Sequence, residues 1–146
     1  MYDLPYTKPF MVEEDGTNSP LDHQRVISKL TMELGILFHH RKTISLEPFP
    51  ETPLSEGPGH SVPDVILLDP ETEETWIIIE VTLPRGVKND LWKIVQLIDN
   101  NQYGILEGSV YNYRTGDWLR YCKGEGGIAT ETSFSDVLGL DLGQFL

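Results

Sequence analysis

The stretch "PDVILLDPETEETWIIIEVTLPRG", residues 63 to 86, limits what this chain can fold into more than any other. Its two halves, "DVILLD" and "TWIIIEVTL", are rich in residues that suit pleated, buried strands, and "PETEET" between them carries the Pro and acidic residues of a turn. The pattern predicts a β-hairpin. Within it, Glu80 follows three isoleucines, Ile77 to Ile79, in what otherwise reads as a buried strand. A buried, unpaired carboxylate costs several kcal/mol, roughly, so such a group usually meets a cation, a hydrogen-bond network or a metal.

Elements on either side of the hairpin set the fold class. "NSPLDHQRVISKLTMELGILF" places Val26, Ile27, Leu30, Leu34 and Leu37 at helical spacing, with Ser19 at the N-cap, Pro20 at the first helical position and Asp22 in a variant of the capping box. "NDLWKIVQLIDNN" is apolar at Leu91, Ile94, Val95 and Ile98 and predicts a helix covering a sheet. "RKTISLEPFP" is expected as a short strand, and "QYGILEG", "SVYNYRTG" and "WLRYCKG" as three more, with "TSFSDVLGLDLGQFL" wrapping the sheet edge. "GEGG" at Gly124 to Gly127 lacks the Lys and strand-to-helix context of a phosphate loop and reads as a turn. The order predicts an α/β domain, a mixed sheet flanked by helices, over residues 19 to 146, with residues 1 to 18 as an N-terminal arm. At 146 residues there is room for one real core and not for two comfortable ones.

Charge bears on function. With 23 acidic against 11 basic side chains the net charge is −12, a surface that repels nucleic acid at long range because non-specific binding depends on Lys and Arg at phosphates. Any nuclease reading must overcome that. The single cysteine, Cys122, excludes an intrachain disulfide and a Cys-based zinc site, which fits a cytoplasmic location. No apolar run reaches membrane-spanning length, and "MYDLPYTKPFMVEEDG" has no basic region followed by an apolar segment, so no signal peptide is expected.

Antiparallel pairing in the hairpin would bring Asp64 and Glu80 to the same end of the sheet, and strand alternation puts Ile78 and Glu80 on one face and Ile77, Ile79 and Val81 on the other. Two converging carboxylates make a hard-oxygen site suited to Mg²⁺ or Mn²⁺. From spacing alone a plainer reading stays open: Asp64 caps a turn and Glu80 pairs with Arg85 or Lys88. Glu33, at the edge of the first helix's stripe, reads either as an additional acid of the site or as an exposed helix-flank residue. His23, near the centre of that stripe, reads as a core or interface histidine. Tyr103, Tyr111 and Tyr113 suit a core, or stacking on bases where exposed.

Pro63 and Asp64, followed by an apolar strand ending "IIIEV", resemble the PD-(D/E)xK phosphodiesterase superfamily. Within it the chain is similar to the bacterial "putative restriction endonuclease" family, long catalogued as a domain of unknown function and abundant in cyanobacteria. The likeness runs in order through "SPLDHQRVISKL", "PDVILLD", "IIEVTLPRG", "NDLWKIV", "NQYGILEG" and "SFSDVLGLDL". It implies a restriction-endonuclease-like fold, Asp64 and Glu80 binding Mg²⁺ or Mn²⁺, DNA as substrate, and a homodimer that cuts both strands. The superfamily's Lys, two after the Glu, is absent here, where Thr82 stands. The resemblance places a substitute on the following helix, and Lys93 fits best, although Asp90 to Lys93 is one residue shorter than the usual pattern and Lys93 points away from the apolar face. Lys88, in the preceding loop, is the alternative. The rival reading is a non-catalytic descendant of the fold that binds a protein partner.

Overall fold

The computed structural model describes residues 20 to 100 and 102 to 146. The N-terminal arm and Ser19, the expected N-cap, lie outside the described residues. Helix α1 runs Pro20–Gly35 and buries Ile27, Leu30 and Leu34. Asp22 pairs with Arg25 one turn on, at 2.7 Å. Beyond Gly35 the chain continues not as α-helix but as a π-helical segment, Ile36–Arg41, which ends at Lys42 in the left-handed conformation.

Five strands form the main sheet in sequence order: β1 (Glu47–Pro50), β2 (Val65–Leu68), β3 (Thr75–Thr82), β4 (Glu107–Asn112) and β5 (Asp117–Cys122). The β2–β3 hairpin is present, with Val65 opposite Ile79. β3 and β4 are parallel, joined through a 3₁₀ turn at Pro84–Gly86 and helix α2 (Val87–Asp99), and the remaining pairs are antiparallel. This is the expected mixed sheet with helices on its faces. Helix α1 packs on the face carrying Ile77, Ile79 and Val81, and α2 on the face carrying Ile78. Strand β3 is therefore sandwiched, and Ile77, Ile78 and Ile79 are all fully buried, each contributing roughly 1.5–3 kcal/mol of transfer free energy.

Three expectations need correction. Only Glu47–Pro50 of "RKTISLEPFP" is strand, because the π-helical segment consumes Arg41 and the left-handed Lys42 turns the chain. Residues 102 to 124 form two strands rather than three: Gly104 has a positive φ of 81°, which ends extended structure there, while Gly108 sits inside β4. A Cβ at Gly108 would lie 2.3 Å from Ile94 Cγ2, so the missing side chain lets α2 sit directly on the sheet. Lys88 lies in the first turn of α2, not in a loop. The C-terminal segment forms its own small hairpin, β6 (Phe134–Ser135) and β7 (Leu140–Asp141), and Thr130 bridges to Arg120 on edge strand β5. Gly124 to Gly127 form turns, as expected. Among the described residues no helix is long and apolar enough to cross a membrane.

Candidate functional site

The hairpin register sets Asp64 just outside β2, opposite Glu80 near the end of β3. The two carboxylates are tied by reciprocal bonds: the Asp64 amide donates to Glu80 Oε1 at 3.3 Å, and the Val81 amide donates to Asp64 Oδ2 at 2.7 Å. Alternation along β3 turns Glu80 toward α2, where Lys93 Nζ lies 3.1 Å from Glu80 Oε2. Among the described residues that oxygen has no aligned hydrogen bond, and it is sealed from solvent, so the ion pair is its one polar contact there. Lys93 stands at the flank of α2's apolar stripe. Its flexible stem reaches over the helix edge, leaving the side chain 41% exposed against 5% for Glu80.

Burial pushes the Glu80 carboxyl up to about 7; the Lys93 ammonium opposes the rise, and the charges of Asp64 and Asp90 add to it. Asp90, half-buried in the first turn of α2, is also raised, first by burial and then by Asp64, while Lys93, a hydrogen bond with Thr82 and His23 pull it down. Burial disfavours charge on Lys93, but Glu80, Asp90 and Asp64 together outweigh it and hold the ammonium above its usual range.

From the opposite face, α1 delivers His23, whose Nε2 lies 3.4 Å from Asp64 Oδ2 and whose ring meets Tyr113 edge-on at 6.1 Å. The assembled group is thus Asp64, Glu80, Asp90, Lys93 and His23, at the carboxyl end of β3. Asp90 and His23 were not assigned to the site from sequence. The only signal for Asp90 is its place ahead of Lys93, and for His23 its place in the "SPLDH" stretch of the resemblance, since its contact with Asp64 spans two elements. Glu33 does not join the group: it lies ten residues beyond His23, roughly 15 Å along the helix. Lys88 is exposed and has no contact with either carboxylate.

Thr82, two residues after Glu80, packs closely against the turn into α2. A Cβ on Gly86 would displace the Thr82 hydroxyl, so glycine lets the turn into α2 close against β3 with Thr82 in its present rotamer. Beside it opens a cleft of about 490 Å³, lined by His23, Gln24, Thr82, Leu83, Arg85 and Tyr113 among others.

As a metal site, the group is a partial fit. Among the described residues no three His, Cys, Asp or Glu side chains converge tightly enough to hold an ion by themselves. Asp64 and Glu80 suit an ion that keeps several water or substrate oxygens, as Mg²⁺ does, and not one that needs a complete protein cage.

No family model matches the sequence, and no curated protein does. Among solved structures, the fold is similar to one described as the "Crystal structure of a putative nuclease belonging to DUF820 from Anabaena variabilis ATCC 29413". The TM-score is 0.56 at 14% identity, over 82% of this chain and 79% of that one. The chain shares the mixed α/β fold of that protein.

Proposed function

We propose that this chain is a divalent-metal-dependent endonuclease that hydrolyses DNA phosphodiester bonds. The observation that carries the reading is Glu80: a carboxylate buried near the end of the central strand, tied to Asp64, with one oxygen met, among the described residues, only by the Lys93 ammonium. The description of the Anabaena protein as a nuclease supports the same reading. Asp64 and Glu80 would hold Mg²⁺ or Mn²⁺, which when bound polarises a phosphoryl oxygen and lowers the pKa of water. Lys93 positions the attacking water or neutralises charge that develops on the phosphoryl group. His23 orients Asp64, and the charge of Asp90 helps to keep Lys93 protonated. A two-fold homodimer would present two such sites to opposite strands.

Incubation of the protein with Mn²⁺ and plasmid, single-stranded DNA or RNA tests this reading. The expected result is DNA cleavage that Asp64→Asn lowers roughly 100-fold or more. Light scattering should report a dimer. Absence of cleavage on every substrate, in Mg²⁺ and in Mn²⁺, removes the enzymatic reading.

One observation favours a second reading, a non-catalytic descendant acting as a protein-interaction module. Lys93 already neutralises Glu80 from within the chain, and among the described residues no third ligand completes a cage. A protein of that kind binds no divalent ion at Asp64 and Glu80.

A further inference from the structure

Four tyrosines fall among the described residues, and three are committed. Tyr103 shares a 2.7 Å hydrogen bond with His60, Tyr111 packs against Trp118 at 4.7 Å, and Tyr121 donates to Asp99 at 2.6 Å. Tyr113 is different. Its backbone amide donates to Thr82 O at 3.1 Å, which pins it beside the end of β3, and its ring packs partly against the α1-side core and meets His23 edge-on, but its hydroxyl has no hydrogen-bond partner among the described residues. That ring lines the cleft, and His23 links the cleft directly to Asp64.

The cations divide in the same way. Arg25 is paired with Asp22, and Arg120 with Asp136. Arg85, which also lines the cleft, is exposed and has no acidic partner among the described residues. An uncommitted aromatic ring, apolar walls from Leu83 and an unpaired guanidinium thus surround a space within the range that encloses a small organic ligand. It lies outside the carboxyl ends of parallel strands β3 and β4, beside the acid pair.

We infer that this cleft takes one unstacked nucleotide next to the phosphodiester to be cut, with its base on Tyr113 and its phosphate on Arg85, so that the preferred substrate is single-stranded DNA. The inference rests on the phosphodiesterase reading and specifies its substrate. A paired, stacked base presents only its edge to a protein, and its face reaches an aromatic ring only when it leaves the stack. Single strands also depend less on cation contacts than duplex does, which suits a chain of net charge −12.

Fluorescence anisotropy tests the inference without requiring cleavage. A labelled 12-nucleotide single strand and the same sequence as a blunt duplex are titrated with the full-length protein in Ca²⁺. Single-strand binding is expected to be at least about tenfold tighter, to fall roughly 5- to 100-fold in Tyr113→Ala, and to survive in Tyr113→Phe, which keeps the ring. Arg85→Ala, at an exposed position, should weaken single-strand binding by severalfold. Equal affinity for the two forms, no binding to either, or wild-type binding by both Tyr113→Ala and Arg85→Ala overturns the inference. Plasmid cleavage without strand preference would overturn it while leaving the hydrolase reading intact. Single-strand binding without cleavage would sustain it while the hydrolase reading fell.

Discussion

Two glutamates are buried in adjacent strands, and the sheet treats them in opposite ways. Glu107, 0% exposed, opens β4 on the face toward α1. Its Oε2 accepts from Ser135 Oγ at 2.6 Å, and its Oε1 accepts from the Val137 amide at 3.1 Å and from the Cys122 thiol at 3.9 Å. Glu80, 4% exposed, lies near the far end of β3 on the other face, with one long bond from an amide and one ammonium. Neutral donors matched to both oxygens make Glu107 a clamp that fixes the C-terminal hairpin to the sheet. Among the described residues nothing comparable surrounds Glu80. The contrast shows that this fold can satisfy a buried carboxylate where stability alone requires it, and does not do so where the candidate site lies.

Substitution should separate the two most sharply at Glu107. Glu107→Ala leaves the Ser135 hydroxyl and the Val137 amide without their acceptor in a buried place, and is expected to destabilise by about 3 kcal/mol in urea unfolding. A loss below about 1 kcal/mol would break the comparison. Glu80→Gln should act in the opposite sense, raising stability in metal-free buffer at pH 8 by about 1–3 kcal/mol. The pH dependence follows from the sign of the shift. Between 4.5 and about 7 the folded state holds the proton on Glu80 and the unfolded state has lost it. Stability from this group is therefore full below 4.5 and is lost as pH rises through about 7. The gap between Glu80→Gln and wild type should widen over that interval and be constant above it; a gap that closes as pH rises contradicts the assignment.

Ser135→Ala sharpens the account at Glu107 by removing one donor only, with an expected loss of about 1–2 kcal/mol by the same measurement. The smallest stability effect belongs to Lys93→Ala, below about 1 kcal/mol, because the ammonium is partly exposed and Glu80 can take up a proton in its absence. DNA cleavage in Mn²⁺ should nonetheless be lost while metal binding persists. Retained cleavage would remove Lys93 from the chemistry.

The sequence made Glu80 visible and Glu107 invisible for a physical reason. Glu80 interrupts eight residues of continuous strand, where any charge is conspicuous. Glu107 stands between "GIL" and a glycine, where a turn explains a carboxylate equally well. The hairpin and the two helices were legible because their apolar periods are long, and Asp64 followed from antiparallel pairing. Lys93 was reached through resemblance against the helix period, since periodicity describes where a Cβ points and not how far a lysine stem extends. His23 and Asp90 belong to the site only through contacts between elements remote in sequence. The π-helical turn after Gly35 was hidden for a related reason: Leu37 and Phe38 continue an apolar pattern that does not distinguish α from π winding.

The central claim, that the poorly satisfied Glu80 and its partner Asp64 hold a divalent ion, is tested most directly by thermal unfolding in millimolar Mn²⁺. An ion that binds only the folded state raises the midpoint by mass action. Wild type should show that rise, Asp64→Asn and Glu80→Gln should not, and Glu107→Gln should keep it if it folds. No shift in wild type, or an equal shift in Asp64→Asn and Glu80→Gln, would contradict the account.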